Sequence, residues 1–230
     1  MNLPTEYIEK FAECYCNRLL DRRISYYIHD KDNHSRANTV HSGIIWSREA
    51  VKQLNSIDFR NNHDLNHLIL LITYIDILLE ATDQIYRVLY KEKKQMPLPD
   101  DTVFLNRPEL YKSLDDRQYF KEIRALLSAH PINLNEPNSK EKRFADTPIV
   151  YNPITDFKSY HKIEGGYDFS SRLWTATRHD ENTIHFPIRI NELEAFAEIL
   201  NNRYTVFLQR VRDIACLLYT SPSPRDKRQS

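Results

Sequence analysis

Two side chains near the middle of this 230-residue chain, Arg124 and His130, are of residue types that suit catalysis and lie on one predicted helix. A neutral imidazole accepts a proton from a hydroxyl group near neutral pH. A guanidinium binds a phosphate through paired hydrogen bonds and stabilises the negative charge that develops on it. Arg124 and His130 are therefore suited to proton transfer beside a phosphate group.

Both residues lie in the segment DDRQYFKEIRALLSAHP, which has the features of one short helix. Asp115 or Asp116 is predicted to cap its start, because an aspartate there accepts a hydrogen bond from an unpaired backbone N–H. Pro131 cannot continue a helix, so we predict that the helix ends at Ala129 or His130. Apolar residues recur at helical spacing and form one stripe: Tyr119, Phe120, Ile123, Leu126 and Leu127.

An arginine followed after five residues by a histidine, on a helix, resembles the motif of the HEPN superfamily of helical domains. The resemblance covers Arg124, His130 and their helical setting. It implies a metal-independent endoribonuclease or RNA-binding module, in which the histidine accepts the 2′-OH proton and the arginine holds the phosphate. It also implies a homodimer with the motif at a cleft between the subunits, a role in defence or as a toxin, and no cofactor.

A non-catalytic interpretation of the same two residues stays open. Pairs of arginine and histidine at similar spacing occur elsewhere, for example Arg36 with His41, so the helical context and not the spacing singles out this pair. In this interpretation Arg124 lays its aliphatic stem along the apolar stripe, and His130 stabilises the C-terminal end of the helix dipole. The protein is then a helical interaction domain whose partner docks on residues 132–160 or on residues beyond the C-terminal end.

Aromatic and β-branched residues at 167–177 and 183–190 predict a β-hairpin. Basic and aromatic side chains around this hairpin suit single-stranded RNA, because bases stack on aromatic rings and phosphates attract cations. An ordinary half-buried hairpin has the same composition. The predicted RNA-binding residues are Arg172, Trp174, Arg178 and Arg189.

The sequence has no clear pattern for a metal site, a disulfide framework or a Gly-rich phosphate loop. His63 and His67 are one helical turn apart and would suit a metal ion, but no third ligand is identifiable by spacing, so we predict no metal site. Three cysteines form neither a disulfide framework nor a four-ligand zinc site. Three glycines are too few for a Gly-rich phosphate loop or a dinucleotide-binding fingerprint, and we predict no small-molecule cofactor.

The charge balance and the hydropathy predict a protein that does not enter a membrane, and the lack of a disulfide framework makes a reducing cytoplasm the expected location. Lys plus Arg and Asp plus Glu both total 32, so no overall field attracts the chain to nucleic acid or to an anionic membrane. The longest apolar run, Leu68 to Leu79, contains Thr73 and Asp76 and is too short and too polar to span a bilayer. Asp76 lies among apolar neighbours and needs a partner if it is buried.

Hydrophobic periodicity predicts a mainly α fold. Helices are expected at 4–28, 48–54, about 63–91, 115–129 and from 191 onward, with a polar loop at 29–46 and an irregular excursion at 132–160. The helix at 63–91 is apolar on nearly all sides at its centre, which suits the middle of a bundle. We predict a single four-helix-bundle-like domain over residues 1–215, with a β-hairpin inserted before the last helix.

Residues 216–230, CLLYTSPSPRDKRQS, resemble the translation of a sequencing-library adapter. We interpret them as a non-native tail and expect the natural chain to continue differently within its last helix. The alternative is a disordered natural tail, because Ser-Pro repeats with basic neighbours are typical of solvated linkers.

Overall fold

The structure is a computed structural model that describes residues 1–19, 36–58, 64–99, 103–129, 134–135, 142–150, 166–175 and 184–220. Five α-helices lie within these residues: α1 Glu6–Leu19, α2 Ala37–Ser56, α3 Leu65–Tyr90, α4 Asp116–Arg124 and α5 Ile190–Thr220. The strands are β1 Leu134–Asn135, β2 Lys142–Ala145, β3 Ile149–Val150, β4 Phe169–Thr175 and β5 Ile184–Ile188. The prediction of a mainly helical chain with a β-hairpin before the last helix is confirmed.

The chain divides into two compact units, which are described separately below. Unit 1 comprises Met1, Ser56–Asp76 and Leu98–Ala197. Unit 2 comprises Asn2–Asn55, Ile77–Pro97 and Glu198–Ser230. The long helices α3 and α5 each contribute residues to both units.

The last helix, α5, has the apolar stripe that its sequence predicts. It begins at Ile190, whose backbone N–H donates a 2.7 Å hydrogen bond to Oδ2 of Asp168, just before strand β4. Asn191 accepts a 2.9 Å hydrogen bond from the backbone N–H of Glu192, so a second N-terminal amide is satisfied. The helix continues to Thr220. Its buried residues include Leu193, Phe196, Ala197, Leu200, Tyr204, Phe207, Val211 and Ile214.

Helix α2 replaces the described part of the predicted polar loop at 29–46 and extends the predicted short helix at 48–54, while residues 29–35 lie outside the described residues. It runs from Ala37 to Ser56, and its buried face includes the small residues Gly43 and Ser47. A Cβ atom on Gly43 would lie 2.9 Å from Cγ1 of Ile85 on α3, so glycine permits a close helix contact within unit 2. Ser47 is hydrogen-bonded to the phenol of buried Tyr204. Helices are predicted from apolar residues that recur at helical spacing, and small or polar residues on the buried face interrupt that pattern.

Helix α3 ends in a left-handed residue that is not glycine. Lys91 has a φ of 55°, and the backbone N–H of Glu92 donates a 3.2 Å hydrogen bond to the carbonyl of Arg87. This is the Schellman arrangement, in which glycine is preferred because a Cβ is unfavourable in the left-handed region.

We expect Lys91→Gly to raise the free energy of unfolding by about 0.5–1 kcal/mol relative to Lys91→Ala. Both variants remove the same side-chain charge, so the difference between them isolates the conformational cost of the Cβ. Urea denaturation of the two variants measures it. Equal stability of the glycine and alanine variants would show that Lys91 is not held in the left-handed conformation.

Five strands form one antiparallel sheet in unit 1, centred on β4. β5 pairs along one edge of β4, from Phe169 opposite Ile188 to Leu173 opposite Ile184, so the predicted hairpin is confirmed. β2 and β3 pair with the other edge, and β1 pairs with β2. The described parts of segment 132–160 therefore contain three strands where an irregular excursion was predicted. Strands of two to four residues are too short to show an alternating pattern.

An aromatic core in unit 1 fixes α4 against the hairpin and the first turns of α5. Tyr119 of α4 stacks on Phe186 of β5, with 5.3 Å between the ring centroids. Phe120 of α4 contacts Phe196 of α5, with 5.0 Å between the centroids. All four rings are buried, and each such side chain contributes about 1.5–3 kcal/mol when it leaves water. This packing determines where the end of α4, and with it Arg124, lies in unit 1.

Candidate functional site

The N-terminus of α4 is capped as predicted, by Asp115. Its carboxylate accepts a 2.7 Å hydrogen bond from the backbone N–H of Gln118, and the Gln118 side chain accepts a 3.1 Å bond from the Asp115 N–H. This reciprocal pair is a capping box. Of the predicted stripe, Tyr119, Phe120, Ile123 and Leu126 are buried and Leu127 is half-buried.

Arg124 is the last residue of α4 and forms an ion pair with Asp76 of α3. Its Nη1 lies 2.9 Å from Oδ1 and 2.8 Å from Oδ2 of the carboxylate. The Arg124 side chain is 42% exposed and that of Asp76 31% exposed. The partner that Asp76 needs is therefore Arg124, 48 residues away in the sequence. The carboxylate restricts the orientation of a guanidinium that still reaches the solvent.

A π-helical turn, Ala125–Ala129, follows Arg124 directly. The sequence predicted a regular α-helix over these residues. In α geometry, residues 124 and 130 point about 120° apart around the axis. A π turn changes that angle, because it contains more residues per turn, and such turns occur frequently at functional sites.

His130 lies outside the described residues. The prediction that its imidazole and the Arg124 guanidinium converge therefore stays a prediction. Arg178, one of the four predicted RNA-binding residues, also lies outside them.

Arg172 and Trp174 share one face of β4, because they are two residues apart on a strand. Arg172 is exposed and pairs with Asp146, with its Nε and Nη2 at 2.9 and 2.8 Å from Oδ2. Register places Phe144 of β2 opposite Trp174 and His185 of β5 opposite Arg172, so all four residues lie on the same face. Trp174, Phe144 and His185 are half-buried. We call these four residues the outer sheet face.

Arg189 does not belong to this face, and its predicted role in RNA binding stays a prediction. Its side chain is only 7% exposed, and Nη1 lies 3.4 Å from the carbonyl oxygen of Asn106 and 3.9 Å from Glu192. Burial raises the pKa of the Glu192 carboxyl, and the neighbouring Arg189 opposes that increase. Arg189 therefore forms part of the interior charge pairing of unit 1.

Arg107 and Asp116 form a second buried ion pair in unit 1, with side-chain exposures of 7% and 5%. The Asp116 carboxylate also accepts hydrogen bonds of 3.2 Å from the backbone N–H groups of Val103 and Phe104. Asp116 thus joins the start of α4 to the segment that precedes it.

Only His67 of the histidine pair at 63 and 67 lies within the described residues. His63 lies outside them, and His67 forms a 2.8 Å hydrogen bond from Nδ1 to Oδ1 of Asp64. Hydrogen bonds from His67 lower the pKa of the Asp64 carboxyl. Among the residues that the structure describes, no group of three or more His, Cys, Asp or Glu side chains is placed to hold a metal ion.

Three residues of the outer sheet face and of the Arg124 ion pair were not assigned a role from the sequence. Phe144 and His185 join the outer sheet face through strand register, which no local pattern reveals. Asp76 was noted as needing a partner, but nothing in the sequence identified that partner as Arg124.

Comparison of the chain with protein-family models, with curated protein sequences and with solved structures finds no match. Within the described part of the chain, no helix is both long and apolar enough to cross a membrane.

Proposed function

We propose that this protein is a HEPN-like, metal-independent endoribonuclease that binds single-stranded RNA. The observation that carries the proposal is the Asp76–Arg124 ion pair, which orients a half-exposed guanidinium at the end of α4. A preoriented cation stabilises developing negative charge without reorganising during the reaction. The π turn after Arg124 adds support, because it is an irregularity immediately before the candidate base.

In the proposed reaction, His130 and Arg124 have separate roles. The neutral His130 imidazole accepts the proton of a ribose 2′-OH, and the 2′-oxygen attacks the adjacent phosphorus. The bond from phosphorus to the 5′-oxygen breaks, and that oxygen takes a proton from water. Arg124 binds the non-bridging oxygens, whose charge increases in the transition state. The products are a 2′,3′-cyclic phosphate and a 5′-hydroxyl end.

The outer sheet face supports RNA as the substrate. Phe144 and Trp174 are half-buried aromatic residues in adjacent strands, with the cationic Arg172 on the same face. Bases stack on such rings, and each stacked base contributes about 1–3 kcal/mol. The proposed protein acts as a homodimer in a defence or toxin setting, which is an inference from the resemblance of the motif.

The test is cleavage of single-stranded RNA in the presence of EDTA. We expect the unmodified chain to produce 2′,3′-cyclic phosphate ends, and His130→Ala to lower the rate by a factor of about 10²–10⁴, because the general base is lost. His41→Ala is the matched control, since His41 is an exposed histidine on α2. Cleavage that requires a divalent metal, or that persists in His130→Ala, would contradict the proposal.

A non-catalytic helical interaction domain is the second candidate. Ile45 and Trp46 on α2 favour it, because two adjacent large apolar side chains are 49% and 53% exposed. This candidate predicts no RNA cleavage by any variant. It also predicts that Trp46→Ser abolishes the association of unit 2 with a partner, while His130→Ala leaves that association unchanged.

A further inference from the structure

A cluster of tyrosines and basic residues lies at the C-terminal end of α3 in unit 2. Tyr86 and Tyr90 stack on each other, with 4.6 Å between the ring centroids and 24° between the ring planes. Both side chains are half-buried. The guanidinium of Arg210 on α5 lies over the Tyr90 ring, 4.9 Å from its centroid. The aromatic pair is thus fixed on one side by a cation and partly exposed to solvent.

Two arginines of α5 attach that helix to the end of α3 and to the chain that follows it. Nε of Arg210 donates a 3.3 Å hydrogen bond to the carbonyl of Leu89. Nη2 of Arg203 donates a 2.7 Å hydrogen bond to the carbonyl of Pro97. Between these two anchors lie residues 91–95, which are all exposed. Lys91, Lys93 and Lys94 therefore extend from a segment that is fixed at both ends.

The charge of this region departs from that of the whole chain. Residues 86–94 and 203–213 contain seven cationic and two anionic side chains, in a chain whose formal net charge is zero. One of the two anions, Asp213, accepts a 2.8 Å hydrogen bond from the amide of Gln209. The region therefore has a positive potential that favours a polyanion.

We propose that this surface, formed by Tyr86, Tyr90, Lys93 and Lys94 and called the tyrosine–lysine surface, binds single-stranded RNA. The lysines neutralise successive phosphates, and a base stacks on the exposed side of the tyrosine pair. The stacked rings favour RNA over an anionic lipid headgroup, which offers phosphate but no planar base. The proposal goes beyond cleavage at Arg124 and beyond the outer sheet face of unit 1, because it assigns a separate RNA contact in unit 2 that needs neither Arg124 nor His130.

Cations near the last turn of a helix also stabilise its dipole without any ligand. That role suits Arg87, within the last turn of α3, and Lys91 directly after it. It does not account for Lys93 and Lys94, which follow the end of the helix, or for the partial exposure of Tyr86. These three residues are therefore the ones to substitute.

The experiment measures binding of a fluorescent 2′-fluoro RNA strand of about 12 nucleotides, a length within the range that single-stranded nucleic-acid sites bind. The strand lacks the 2′-hydroxyl and cannot be cleaved by the proposed reaction, so binding is measured independently of catalysis. Lys93→Gln with Lys94→Gln is compared with Lys10→Gln with Lys52→Gln, which removes equal charge from exposed helical lysines of the same unit.

We expect the first pair of substitutions to weaken binding on the order of tenfold and the control pair to leave binding near that of the unmodified chain. The slope of log K against log salt should fall by about 1.4, or about 0.7 for each lost phosphate contact. Equal binding by both pairs, or an unchanged slope, would overturn the proposal.

The stacking contribution is tested at Tyr86. Tyr86→Phe should bind as the unmodified chain does, whereas Tyr86→Leu should bind about tenfold more weakly, because it loses the π face. Equal affinity of the phenylalanine and leucine variants would contradict base stacking on Tyr86.

A second experiment measures binding of the protein to vesicles that contain phosphatidylserine. If the substitutions at Lys93 and Lys94 weaken vesicle binding but leave RNA binding unchanged, the assignment of RNA as the ligand is overturned.

Discussion

Asp116→Ala is expected to lower the free energy of unfolding by about 3–5 kcal/mol. The Asp116 carboxylate is buried, pairs with the guanidinium of Arg107 and accepts hydrogen bonds from the backbone amides of Val103 and Phe104. Its removal leaves a buried cation and two buried N–H donors without these acceptors, and each unsatisfied donor costs about 1–3 kcal/mol. The effect should therefore exceed that of any surface substitution on α4.

Urea denaturation, followed by circular dichroism, measures this loss. The matched control is Asp115→Ala, which removes the adjacent and exposed N-cap and should cost about 1 kcal/mol. The double variant Asp116→Ala with Arg107→Met should recover part of the loss, because it removes the buried charge that Asp116→Ala leaves behind. Should Asp116→Ala cost no more than Asp115→Ala, the buried pair would not be a principal source of stability in unit 1.

Arg124→Lys is expected to lower the rate of RNA cleavage by a factor of about 10²–10³, although it preserves the positive charge. Lysine carries a point charge on a flexible stem, and it cannot contact a carboxylate and a phosphate with one rigid planar group. Arg124 Nη1 contacts both carboxylate oxygens of Asp76. A lysine would use its single nitrogen for that contact and would have no second nitrogen with which to bind the phosphate.

The control is Arg48→Lys, which substitutes an arginine of similar exposure that also pairs with a carboxylate, that of Glu9. It should leave the cleavage rate unchanged. Single-turnover rates and binding of the uncleavable strand separate the effects on chemistry and on affinity. If the lysine variant cleaves at the full rate, only the positive charge at position 124 matters. If the variant loses affinity for RNA but keeps the single-turnover rate, Arg124 binds the substrate and takes no part in the chemical step.

The elements that were predicted correctly have patterns carried by large side chains. Helix α5 repeats its apolar residues over many turns, and the β-hairpin alternates around a polar connection, so each pattern is evident within its own segment. The N-terminal cap at Asp115 was also predicted, because a capping box involves residues only three positions apart in the sequence. The part of helix α2 before residue 48 was missed, because Gly43 and Ser47 occupy buried positions where an apolar side chain is usual.

The candidate site was less predictable, because its geometry depends on contacts between distant residues. Asp76 and Arg124 were each notable in the sequence, but 48 residues separate them and no local rule pairs them. Arg189 and Arg172 both lie in the predicted hairpin among aromatic and β-branched residues, yet Arg189 is buried beside Glu192 and Arg172 is exposed. Burial of that kind results from tertiary packing and is not visible in a strand pattern.

The π turn at Ala125–Ala129 has a consequence for how this site tolerates changes in length. A π turn contains one residue more than an α turn, so deletion of one residue can convert it to regular helix while the backbone before and after it keeps its position. In a regular α-helix the same deletion rotates everything that follows by about 100°. A natural variant of this chain that lacks one residue within 125–129 should therefore keep its helix here and keep Arg124 beside Asp76.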